Sequence, residues 1–211
     1  MPKAAQINVN PKTKDVKFDF TRTMADIQSK QMSTINPYGF HQSTVTQGFA
    51  SGAIRFIRSV KFGGKSLTNP DAVCIWYDEI NINIEIEPKV VIAKEIYDDP
   101  CKRKAVLDHE MKHVYADRQI LNKYSKIMGK RIYEALKQRG FVVGPIPAES
   151  QKEVMDRMSR VVKQVLDREQ KRMEIDREDL QGSIDSLEEY QRVSALCKKP
   201  KTEQSSKRRS R

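Results

Sequence analysis

The chain has 211 residues, 38% of them hydrophobic and 32% charged, with a formal net charge of +11 and three cysteines. That is enough apolar material for one core but not two, so a single domain over residues 1–197 with a tail over 198–211 is expected. No apolar run is long enough to span a bilayer, and the widely spaced Cys74, Cys101 and Cys197, without a CxxC, exclude a disulfide framework or a cysteine zinc site.

The cysteines read as reduced structural thiols, with a Cys74–Cys101 bridge left open only for an exported protein. The start, Met1-Pro2-Lys3-Ala4-Ala5-Gln6, leads into no apolar stretch of the kind that directs secretion. The charge is uneven: residues 198–211 hold seven Lys/Arg against one Glu, which is +6 of the +11 and leaves +5 for the rest. Such a tail lacks any apolar anchor and is expected to be disordered, with a weak anionic partner or simple solubilisation as its roles.

In chain order, Val16-Lys17-Phe18-Asp19-Phe20 alternates as a strand with Val16, Phe18 and Phe20 on one side, and Thr21 to Met32 reads as a short helix. His41 follows the Asn36-Pro37-Tyr38-Gly39 turn and reads as a solvated loop histidine before a distant ligand. Ala53–Ile57 and Val60–Phe62 are predicted strands, closed by Gly63-Gly64 and Asn69-Pro70. Val73–Tyr77 reads as another. Ile80, Ile82, Ile84 and Ile86 then alternate with Asn81, Asn83, Glu85 and Glu87, giving a strand with one buried face. Pro88 is expected to break it, with Val90–Tyr97 returning as a neighbour. The β-rich part thus covers 10–97, either an antiparallel meander or a sheet whose free edge accepts an extended peptide.

The helical part, 100–197, opens on Asp98-Asp99-Pro100, an N-cap carboxylate followed by Pro at the first helical position. The stripe Val106, Glu110, His113, Asp117, Ile120, Tyr124, Met128, Ile132, Ala135 recurs at helical spacing up to Gly140. Within it stands His109-Glu110-Met111-Lys112-His113, an HExxH motif. Two imidazoles four residues apart share a helix face and can close on one metal ion, with Glu110 beside it. Ionisable groups on an inward stripe are costly unless something pairs with them, and a divalent cation does so. Asp117, one turn on, reads equally as a group that orients a neighbour or as a surface carboxylate.

A further protein ligand is needed. After the extended Phe141–Pro147 connector, a second helix starts near Ala148 or Glu149 with the stripe Met155, Met158, Val162, Val165, Glu169, Arg172, Asp176. If the helices fold back antiparallel with Arg139 opposite Glu149, His113 faces about Ile175 and Asp176 is the inward carboxylate at that level. Glu169, Glu174 and Asp179 remain alternatives. Ser183–Leu196 reads as an amphipathic helix packed on the core through Ile184, Leu187, Tyr190 and Val193.

The HExxH helix, followed by Ile175-Asp176-Arg177-Glu178-Asp179-Leu180-Gln181-Gly182, resembles an uncharacterised bacterial family described as secreted zinc-dependent proteases, in which a Tyr-Asp-x-x-Thr-x-His-Gly segment follows. Asp176 and Gly182 match that segment, whereas Ile175, Asp179 and Gln181 depart from its Tyr, Thr and His. The resemblance implies a secreted or periplasmic setting, where the amino terminus alone suggests the cytoplasm. The expectation is therefore an α+β, zincin-like metallopeptidase. A small antiparallel or mixed sheet packs on a long HExxH helix and an antiparallel second helix. A zinc ion (Zn2+) sits on His109, His113 and Asp176, with Glu110 as general base acting on a peptide or protein substrate. The alternative is a non-catalytic binding protein, with a structural or degenerate metal site or with a helical body and basic tail that hold a partner or nucleic acid.

Overall fold

The computed structural model describes residues 4–30, 46–67 and 71–197. The turn before His41, His41 itself, Asn69-Pro70 and the 198–211 tail lie outside them. The architecture is a mixed sheet packed against helices. Its axis is β4 (Ala72–Ile92), whose one edge pairs antiparallel with β3 (Gly48–Ser66). The other edge carries β5 (Val142–Pro147), β1 (Gln6–Thr13) and β2 (Lys17–Asp19) end to end, β5 antiparallel and the other two parallel. The sheet is thus not an antiparallel meander.

Three predicted breaks are absent because the sheet absorbs them. Val73, Ile75 and Tyr77 are buried at odd positions and Ile80 to Ile86 at even ones. The parity changes at a bulge, where Lys61 opposes Glu79 and Phe62 opposes Tyr77, leaving Asp78 as the extra residue. Pro88 stays inside β4 because β1 pairs only to Ile86 and β2 begins at Lys89, so on that edge the missing N–H has no partner to disappoint. Gly63 stays inside β3 because the Trp76 ring covers it; a Cβ there would lie 2.3 Å from Trp76 Nε1. β4 then ends at Ile92 and Lys94–Tyr97 is the short helix α2, not a further strand.

The polar face of β4 is laddered to its neighbours: Asn8 to Asn81, Asn10 to Asn83, Lys61 to Glu79. Its isoleucine face is fully buried under two long helices, α3 (Pro100–Arg139) and α4 (Gln151–Ile184), with Leu121, Met128, Ile132, Val162 and Met173 in the same core. A second core gathers Val90, Val91, Ile92, Val106 and Val114 with Ile27 of α1 (Met24–Lys30). Around β2, Val16 and Phe20 pack inward, whereas Phe18, expected on the same side, is exposed and stacks on Phe20. No helix among the described residues is long and apolar enough to cross a membrane.

Asp99 caps α3 by accepting from the Cys101 and Lys102 N–H groups, with Pro100 in the first turn, and Gly140 closes it. The chain then leaves along β5 and a 3₁₀ turn (Ala148–Ser150) before α4 starts. That excursion alters the helix pairing. Tyr124 meets Asp176, Asp117 meets Arg177 and Gln181, and His113 meets Gln181 and Asp185. The helices are antiparallel, but each of these α3 residues faces a partner six to twelve residues later on α4 than the tight hairpin gives, roughly 9–18 Å along the axis. The final helix, α5 (Leu187–Leu196), buries none of its residues, contrary to the core-packing expectation. Its contact with the core is Val193, and Cys197 after it is disulfide-bonded to Cys101 in the first turn of α3. The reading of reduced thiols is thus corrected: the bridge is Cys101–Cys197, and Cys74 is the free thiol.

Candidate metal centre

The HExxH turn lies where α3 crosses the start of β3, and small residues permit the approach. A Cβ on Gly48 would come within 2.8 Å of Val91 O and 2.9 Å of Val106 Cγ1, and one on Gly52 would lie 3.3 Å from Asp117 Oδ2. His109, Glu110, His113 and Asp117 are 6%, 5%, 9% and 5% exposed, all on the helix face turned inward. With Ser51, Arg177 and Tyr190 they line a cleft of about 390 Å³ between β3, α3, α4 and α5.

Both Nε2 atoms lie close to one oxygen. Asp185 Oδ1 is 3.3 Å from His109 Nε2 and 3.1 Å from His113 Nε2, and the three ligand atoms all lie within 4.8 Å of one another. On a tetrahedral ion with bonds of about 2.0–2.1 Å, neighbouring ligand atoms are roughly 3.3 Å apart, a spacing that the two nitrogen–oxygen distances match.

The opposite ring nitrogens are also held. His109 Nδ1 is 3.3 Å from Glu189 Oε1, an acceptor-only carboxylate, so this nitrogen donates. His113 Nδ1 meets Gln181 Oε1. The Gln181 amide can be placed only one way round: its nitrogen donates to Asp117 Oδ1 at 2.6 Å and to the His113 carbonyl at 3.1 Å, which leaves its oxygen to accept from the imidazole. With each Nδ1 donating, each neutral ring turns a lone pair toward Asp185. Two lone pairs and a carboxylate oxygen repel one another unless positive charge sits among them, as protons on the rings or as a metal ion.

The electrostatics carry the same message. Burial is the largest influence on both imidazoles and works against their charged form, but Asp185 and Glu110, acting together with Glu189 at His109 and with Gln181 at His113, outweigh it, and each pKa lies above its ordinary value. Burial likewise opposes the charge on Asp185, yet the two histidines hold it well below the usual carboxylate range. Burial pushes Glu110 up to about 7, against the opposing pull of His109 and His113 and a hydrogen bond from the Ala50 backbone.

Of the residues picked from sequence, His109, Glu110 and His113 come together and Asp176 does not join them. Asp176 Oδ2 instead accepts from Lys123 at 2.6 Å and Tyr124 at 2.9 Å. Among the alternatives, Glu169 is buried under Arg168 and Arg172, Glu174 lines the cleft but accepts from Gln170 at 2.9 Å, and Asp179 borders a separate groove with Lys123 and Asp176. Asp117 orients neighbours: besides Gln181 it takes Arg177 Nε at 2.6 Å and Nη2 at 2.9 Å, and that guanidinium also donates to Gly52 O at 3.1 Å.

Asp185, Gln181 and Glu189 were missed. Asp185 is the residue at which α4 ends, beyond the stripe used to search for a ligand. Gln181, a departure from the resembled segment, proves to be the partner of His113 Nδ1. Glu189 sits in the first turn of α5, where it also accepts from Lys112 at 2.7 Å and Arg192 at 2.6 Å. The only cue in the sequence was the acidic spacing itself, and it does not stand out among the chain's 28 Asp and Glu residues.

Comparison with known proteins gives no match: no protein-family model, no curated protein and no solved structure is significantly similar to the chain.

Proposed function

We propose that the chain is a zinc-dependent peptide hydrolase of the HExxH, zincin-like kind, with His109, His113 and Asp185 as the protein ligands and Glu110 as general base. The observation that carries this reading is the convergence of both Nε2 atoms on Asp185 Oδ1 while Glu189 and Gln181 occupy the far side of each ring. Two nitrogens and one carboxylate oxygen are a donor set suited to zinc with a position left open. A zinc ion bound there would supply Lewis acidity and a water of lowered pKa.

The protein's own groups do the rest. Glu110, buried beside the imidazoles, takes the proton from the attacking water and hands it to the departing amine. Its pKa of about 7 suits both halves of that transfer, and a nearby cation would draw it lower. Ala50 N–H anchors the carboxylate from the edge of β3. An extended peptide lying along the cleft would meet that same edge, although the Ala50 N–H and Gly52 C=O are already engaged by Glu110 and Arg177. The disulfide between Cys101 and Cys197 belongs to an oxidising compartment and accords with a secreted or periplasmic protein.

The test is a pair of variants. Purified protein should hold one zinc per chain; His109→Ala should lose it, and Glu110→Gln should keep it while hydrolysis of a casein or peptide-library substrate falls by about 10²–10⁴. Zinc retained with hydrolysis unchanged in Glu110→Gln leaves a non-catalytic metal-binding protein instead.

A further inference from the structure

A second cluster of charge lies far from the metal centre. Arg131 is roughly 27 Å along α3 from His113 at about 1.5 Å per residue. There a groove of about 450 Å³ opens between the last turns of α3 and the middle of α4. Arg131, Arg139, Arg168 and Arg172 line it together with Gln138 and Gln164, and Glu134 is the one carboxylate among its walls.

The guanidinium groups on the α4 side are fixed from behind. Glu169, 1% exposed, accepts from Arg168 Nε at 3.2 Å and from Arg172 Nη1 at 3.1 Å. Glu134 is shared between Arg131 at 3.0 Å and Lys130 at 3.9 Å. Arg139 forms no ion pair among the described residues. Even with Glu169 counted, four guanidinium groups face two carboxylates, a formal +2 around one groove. Each guanidinium has five donors, and Arg131, Arg168 and Arg172 each spend few of theirs on the protein. The walls are therefore rich in donors and poor in acceptors. Planar forks of this kind match phosphate oxygens in pairs, and anchoring by Glu169 lowers the entropy lost on binding.

We propose that this groove is a binding site for an anion carrying two or more linked phosphates, since its size and four guanidinium groups exceed what one phosphate would use. The proposal is independent of the metal reading.

The experiment is calorimetric titration of sodium triphosphate into the full-length chain at fixed ionic strength, as purified and again after dialysis against a chelator so that no metal competes. One triphosphate per chain is expected in both preparations. Arg131→Gln with Arg139→Gln, two exposed positions, should weaken it at least tenfold. Lys12→Gln with Lys65→Gln removes the same charge from the sheet and should leave the affinity within twofold. Glu134→Gln should tighten binding. Absence of saturable binding, or equal losses in the two double variants, overturns the site. Should the arginine variant lose its helical circular dichroism, Glu134→Gln decides, and an unchanged or weaker affinity there overturns the site as well.

Discussion

From Val106 to Asp117 the buried stripe of α3 mixes apolar groups with His109, Glu110, His113 and Asp117, whereas from Ile120 to Leu136 it is Ile120, Leu121, Tyr124, Met128, Ile132 and Leu136 with Ser125 as the polar exception. Both halves lie on one helix, share one period and pack on the same sheet. The apolar half is stabilised mainly by burial, at about 25 cal/mol per Å² of apolar surface. The other half buries ionisable groups that each require a partner, and α4 and α5 deliver those partners as Asp185, Gln181, Arg177 and Glu189. A helical period thus shows which side faces in, while the chemistry of the inward residues shows whether that side is satisfied by apolar packing or needs partners from elsewhere in the chain.

The comparison can be broken first at the third ligand. Asp185→Ala should abolish stoichiometric zinc binding, and Asp176→Ala, which removes a solvent-screened contact with Lys123 and Tyr124, should leave it intact with little change in stability. Zinc titration with a chromogenic chelator reads both, and the opposite pattern returns the ligand to Asp176. At the apolar end, Met128→Ala opens a cavity among fully buried side chains and should cost about 2–5 kcal/mol in urea unfolding, with zinc stoichiometry of the folded protein unchanged. Loss of metal there would mean that the two halves are not separable.

Smaller effects sharpen the same contrast. Gln181→Ala or Glu189→Gln should weaken zinc about 10–100-fold without removing it, because each frees one imidazole to turn. Reducing the disulfide should act in the same direction as Glu189→Gln, since α5 has no buried residue to hold it. The mildest signal is alkaline. Burial pushes Tyr77 up to about 12, its hydroxyl donating to Met158 O at 2.9 Å. A folded pKa above the unfolded value of about 10 means full stability below pH 10 and a decline as pH rises toward 12. Tyr77→Phe should flatten that decline in thermal melts taken between pH 9 and 12; an unaltered slope would assign it to other groups.

Much of this was legible residue by residue. The Asp99 cap, the α3 stripe, the isoleucine alternation of β4 and the pairing of His109 with His113 all follow from local period and turn chemistry, which act over a few residues. The strand breaks at Gly63 and Pro88 were misread because each depends on what the neighbour offers: a Trp76 ring in one case, a gap between β1 and β2 in the other. Asp176 was chosen by assuming a tight return, and the excursion through β5 moved the register.

Local pattern alone places the HExxH turn on the inward face, since four residues of helix fix which side chains share a face, and burial of those ionisable groups then requires partners for them. What only the tertiary structure decided was which carboxylate meets the imidazoles, which cysteines pair, and which groups lock each ring. Those contacts join residues 68 to 96 positions apart. Their alignment is set by where the connector pairs with the sheet, a quantity that no local pattern contains.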